Sequence, residues 1–137
     1  MKRILFVCVH NSGRSQMAEA ITNHLAKERG VPVTAQSAGT VGGKELNPIA
    51  IQAMNEIGIS MEGQKPKLIT EDMIDGAHVI SMGCGVDADA CPAKFILAED
   101  WNLDDPAGQP IDKVRDIRDA IYSRVEHLLA EISTSTT

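Results

Sequence analysis

Aromatic side chains are scarce in this sequence: one Trp, one Tyr and two Phe, or 3% of its 137 residues. Little is available to stack on nucleic-acid bases. Basic charge is also in deficit. Thirteen Lys and Arg face nineteen Asp and Glu, and a net charge of -6 repels a phosphate backbone over most of the surface, so no nucleic-acid partner is expected. Long hydrophobic runs are missing too. The apolar run near the N-terminus, Ile4 to Val9, is stopped by His10 and Asn11, and nothing approaches the roughly 20 residues of a membrane span. A cytoplasmic location without a membrane partner is therefore expected. Three cysteines are too few for a secreted disulfide framework, which leaves them as free thiols, metal ligands or catalytic groups.

The remaining composition, 43% apolar and 23% charged, is that of a globular chain, and the length suits a single domain over residues 1–137. Arg3 to Val9 is continuous and β-prone, as strands buried on both faces are. A polar loop from His10 to Gly13 follows. A helix then begins near Arg14, with Met17, Ile21 and Leu25 on one face and Glu19, Lys27 and Glu28 outside, until Gly30 and Pro32 stop it. Val31 to Ala38 reads as a second strand. Asn47 and Pro48 open a second helix with the stripe Ala50, Ala53, Met54 and Ile57, closed by Gly58. Thr70 caps a short helical turn, Ala77 to Ser81 and Lys94 to Ala98 read as further strands, and a last helix carries Val114, Ile117, Ile121, Val125, Leu128 and Ile132, with Asp112 as its cap and Ser133 to Thr137 frayed. Alternation of strands and helices predicts an α/β fold of three layers, a parallel sheet covered by helices on both faces.

In such sheets ligands bind beyond the carboxyl ends of the strands, at helix N-termini. Cys8 ends the first strand and Arg14 opens the helix. The five residues between, Val9, His10, Asn11, Ser12 and Gly13, offer backbone N–H groups that can curl around an anion. Loop amides, helix dipole and the Arg14 guanidinium all favour a thiolate, so Cys8 is expected to ionise below the ordinary thiol value of about 8.5. Those donors also suit a tetrahedral oxyanion, with Arg14 as a bidentate fork. Ser15 is placed to donate its hydroxyl to the Cys8 sulfur, and Gly13 allows backbone geometry that other residues resist. A loop histidine such as His10 carries no special role on residue type alone.

The stretch CVHNSGRSQMAEA from Cys8 to Ala20 resembles the phosphate loop of the low-molecular-weight protein tyrosine phosphatases, and specifically of the arsenate reductases that share their fold. Ser37 to Gly39, Asn47 with Pro48, and Asp105 with Pro106 match further family positions, so the likeness covers almost the whole chain. It implies four parallel strands in the order 2-1-3-4. It also implies Cys8 as nucleophile, Arg14 as oxyanion clamp and Asp105 as the acid that protonates the leaving oxygen.

Within that family two readings compete. Phosphatases resembling the eukaryotic type carry tyrosines after the Asp-Pro pair to wall an aryl slot; here Ala107, Gly108 and Gln109 follow, with Trp101 the only aromatic nearby. A small inorganic oxyanion needs no such wall. Cys84 and Cys91, after the third strand, are arranged as in thioredoxin-coupled arsenate reductases. The resemblance implies that Cys84 attacks Cys8 as arsenite leaves and that Cys91 resolves the bond to Cys84–Cys91, with thioredoxin restoring the thiols. Were residues 84 to 91 one regular helix, their Cα atoms would stand roughly 10 Å apart, beyond the about 4.4–6.8 Å that a disulfide spans, so the relay demands rearrangement. Zinc is disfavoured, because two cysteines and distant histidines do not supply its ligand pattern. Arsenate reduction by a monomer without metal or cofactor is the expectation; a small-substrate phosphatase and a thiol redox sensor are the alternatives.

Some thioredoxin-coupled relatives bind potassium beside the loop through Asn, Glu, Ser and Asp. Asn11, Glu19 and Ser37 match the first three positions, and Lys67 stands at the fourth. Lys67 either points to solvent or puts its ammonium in the ion's place.

Overall fold

The computed structural model describes residues 2–8, 11, 13–39, 45–82, 99–101, 103, 106 and 108–135. Strand β1 (Lys2–Cys8) shows why its sequence is continuously apolar. Ile4, Phe6 and Cys8 point into one core, while Leu5 and Val7 point into another on the opposite face. A strand with period 2 that is buried on both sides has no polar positions to alternate with.

Helix α1 (Arg14–Arg29) leads back to β2 (Val33–Gly39), which pairs with β1 in parallel from Lys2 opposite Val33 to Cys8 opposite Gly39. On the other side of β1 lies β3 (His78–Ser81), also parallel. These three strands form the body of the sheet, in the order β2-β1-β3. A two-residue β4 (Glu99–Asp100) extends it beyond β3. Sequence patterning expected a fourth strand over Lys94 to Ala98; that stretch lies outside the described residues, and the pairing seen falls just after it.

Three helices cover one face: α1, α2 (Pro48–Glu56) and α4 (Ile111–Ser135). The short α3 (Glu71–Ile74) lies towards the other, where Met73 and Ile74 pack on Leu5, Val7 and Val79. Asn47 caps α2 as its sequence implies, its Oδ1 accepting from the N–H groups of Ile49 and Ala50, with Pro48 in the first turn. The apolar stripe of α4 is buried along its length, and each such side chain contributes about 1.5–3 kcal/mol. Two arginines of α4 tie it to α2: partly exposed Arg115 and buried Arg118 both bind Glu56 at the end of α2, and the Arg115 guanidinium holds the Glu56 carboxyl below the ordinary carboxylate range.

Two helix-end expectations are corrected. Asp112 is not the cap of α4 but lies within its first turn, since the helix begins at Ile111, directly after Pro110. The helix also runs on through Ser135, where fraying from Ser133 was expected.

Candidate active site

Cys8 is the last residue of β1, and its buried sulfur faces the start of α1. The backbone N–H of Asn11 donates to Sγ at 3.2 Å, and Ser15 Oγ lies 2.8 Å from Sγ. Arg14, buried at the helix start, donates through Nη1 to the main-chain carbonyl of Leu103 and stands 3.5 Å from that of Met82. The side chain is thus braced by the segments that follow β3 and β4. Cys8, Asn11, Gly13, Arg14 and Ser15 converge as their spacing implies. Val9, His10, Ser12, Cys84, Cys91 and Asp105 lie outside the described residues.

Gly13 has a second reason besides the backbone freedom its sequence suggested. Crowding demands it: a Cβ at this position would stand 2.7 Å from Cγ of Pro106. Pro106, next in sequence to Asp105, is thus packed against Gly13. A left-handed backbone occurs at Asn11, a non-glycine residue at φ 56°. Asparagine tolerates this left-handed region better than most side chains.

Asn11 is held there by its own amide. Its Oδ1 accepts from the Lys67 N–H at 2.8 Å and from Gln16 Nε2 at 2.8 Å, while Nδ2 donates to Ser15 Oγ at 2.8 Å. Gln16 is wholly buried, and the helical periodicity of α1 gave no signal for it. Glu19, expected on the outer face, is mostly buried: it accepts from Ser37 Oγ at 2.8 Å and lies 3.5 Å from Lys67 Nζ. Lys67 arrives there because Gly39 donates its N–H to the Lys67 carbonyl and accepts from the Ile69 N–H, which lays residues 67–69 along the end of β2. The ammonium against Glu19 and the N–H on Asn11 Oδ1 occupy the groups a potassium ion would need, so this set does not fit that ion. Among the described residues, no group of three or more His, Cys, Asp or Glu is placed to hold a metal. No helix among them is long and apolar enough to cross a membrane.

The profile of the family described as low molecular weight phosphotyrosine protein phosphatase matches residues 3–137. The chain belongs to that family. It is 37% identical to a glutaredoxin arsenate reductase of Synechocystis sp., over 97% of this chain and 100% of that protein. A solved arsenate reductase in its phosphate-binding state superposes with TM-score 0.82 at 38% identity, covering 96% of this chain and 99% of the other. A thioredoxin-dependent arsenate reductase of Corynebacterium glutamicum gives 0.78 at 35% identity, with 98% of this chain matched to 63% of that one.

One aromatic side chain bears on the kind of substrate. Trp101 is buried, tilted against Phe6 with ring centroids 5.4 Å apart and with Arg124 over its ring. It is a core residue. Among the described residues, the groups directed at the Cys8 sulfur are thus an N–H and a hydroxyl, with no aromatic ring among them.

Proposed function

We propose that this protein reduces arsenate to arsenite, using Cys8 as nucleophile and thioredoxin as electron source. The reading rests above all on the Cys8 sulfur, seated at a strand tip and a helix N-terminus with an N–H and a hydroxyl directed at it. Donors so placed favour the thiolate and its attack on an electrophilic oxyanion centre. The names of the relatives, at 35–38% identity, support arsenate as that oxyanion. A monomeric single domain over residues 1–137 in the cytoplasm completes the reading.

In the proposed cycle the Cys8 thiolate forms a bond to As(V) with Val9 to Gly13 and Arg14 around the oxyanion, and Asp105 protonates the oxygen that leaves as water. Cys84 then attacks the Cys8 sulfur. The S–As bond breaks with its electron pair remaining on arsenic, which departs as As(III), and Cys8–Cys84 forms. Cys91 displaces Cys8 to give Cys84–Cys91, and a thioredoxin dithiol takes up that disulfide. Relatives named for glutaredoxin and for thioredoxin make the donor the point to measure. Arsenate-dependent NADPH oxidation should be sustained by thioredoxin with its reductase and not by glutathione with glutaredoxin. Turnover with the second couple alone would reassign the donor, and turnover with neither would overturn the reductase reading.

Lys67 is proposed to steady the loop as a built-in cation, its charge on Glu19 and its N–H on Asn11. Activity and melting temperature should then be unchanged when sodium replaces potassium at constant ionic strength, and Lys67→Asp should introduce sensitivity. Strong, potassium-selective activation of the unsubstituted enzyme would overturn this role.

A further inference from the structure

Amide side chains present a donor at one end and an acceptor at the other, and only unambiguous partners reveal which end is which. Backbone groups supply those partners throughout the buried cluster behind Cys8. The Lys67 N–H can only donate, so the Asn11 atom facing it at 2.8 Å is Oδ1, and Nδ2 must face Ser15. The carbonyls of Asn11 and Lys65 can only accept, so the Gln16 atom at 3.0 and 2.9 Å from them is Nε2. That leaves Gln16 Oε1 turned towards Gln64. Gln64 Nε2 donates to it at 2.7 Å and reaches the Gln16 carbonyl at 3.1 Å.

We infer that Gln64, a residue outside the anion loop, is a positioning residue for Cys8: its amide supplies the first donor of a one-way hydrogen-bond chain, oriented by the backbone groups, that runs from Gln64 through Gln16, Asn11 and Ser15 to the Cys8 sulfur. Each link donates towards the sulfur. Since Ser15 Oγ already accepts from Asn11 Nδ2, its own hydrogen is left for Sγ, and a thiolate can only accept it. Gln64 is half-buried in the turn closed by its N–H on the Met61 carbonyl, well separated in sequence from residues 8–16. Its loss leaves Gln16 Oε1 buried without that donor. The Gln16 amide cannot compensate by rotating, because its oxygen would then meet the carbonyls of Asn11 and Lys65. The strain falls on Asn11, which holds its left-handed backbone through the same amide.

This inference rests on Cys8 acting as a thiolate, and the test separates the two. Iodoacetamide alkylation of Cys8 is followed against pH in a Cys84→Ser, Cys91→Ser background, where it is the one remaining thiol. Wild-type position 64 should give a midpoint below the ordinary thiol value. Gln64→Met, uncharged and of similar length, should raise that midpoint by about half to one pH unit, the scale of one lost hydrogen bond. Gln64→Glu keeps the shape but offers only acceptors, and should raise it further. It also serves as the measurement should Gln64→Met fail to fold. A depressed midpoint unchanged by either substitution overturns the role of Gln64 alone. An ordinary midpoint with Gln64 in place overturns the thiolate reading and this inference with it.

Discussion

Cys8→Ser should remove arsenate reduction and any hydrolysis of p-nitrophenyl phosphate together, lowering turnover on the order of 10⁴-fold or more. The same N–H and hydroxyl would surround the new oxygen, so the pocket should survive, with phosphate binding by calorimetry close to the parent. What disappears is the nucleophile. A serine hydroxyl is far harder to ionise than a thiol and lacks sulfur's capacity for disulfide exchange. Retained reductase turnover in Cys8→Ser would make the central assignment wrong.

The second large effect separates two chemistries run from one nucleophile. Cys84→Ser and Cys91→Ser should each leave p-nitrophenyl phosphate hydrolysis near the parent rate, because hydrolysis of a phosphocysteine needs only water. Both should stop sustained arsenate reduction. Mass spectrometry after a single addition of arsenate without reductant then distinguishes the variants. Cys91→Ser should accumulate the Cys8–Cys84 disulfide, whereas Cys84→Ser should contain no such bond. Identical disulfide patterns in the two variants would eliminate the relay.

What could be read from the sequence was what local chemistry decides. The strand, loop and helix around Cys8 follow from a two-sided apolar run and a 3.6-residue stripe, and both are present as read. Asn47 and Pro48 likewise announced the start of α2, since a cap and a first-turn proline act within one helical turn. Contacts made by distant segments were beyond such reasoning. Gln16 and Glu19 look like ordinary outward-facing helix residues until the stretch bearing Gln64, Lys65 and Lys67 is laid against them. Gly13 was recognised for its backbone freedom but not for its crowding, because Pro106 lies more than ninety positions further along the chain. The left-handed backbone of Asn11 escaped notice because the bonds that hold it come partly from Lys67. Lys67 itself was left between solvent and the loop, and its place was decided by the pairing of residues 67–69 with Gly39.

The parallel arrangement also separates where the molecule reacts from where it can be tethered. Cys8 and the first turn of α1 lie at one end of the sheet, whereas Lys2 pairs with Val33 just past the far end of α1. Helix α4 leads the same way: Arg29, at the close of α1, binds Glu126, and Ser135 lies nine residues beyond it. Immobilisation through side chains at the Lys2 and Val33 end, on an electrode or a resin, would therefore turn the Cys8 end of the sheet towards the medium.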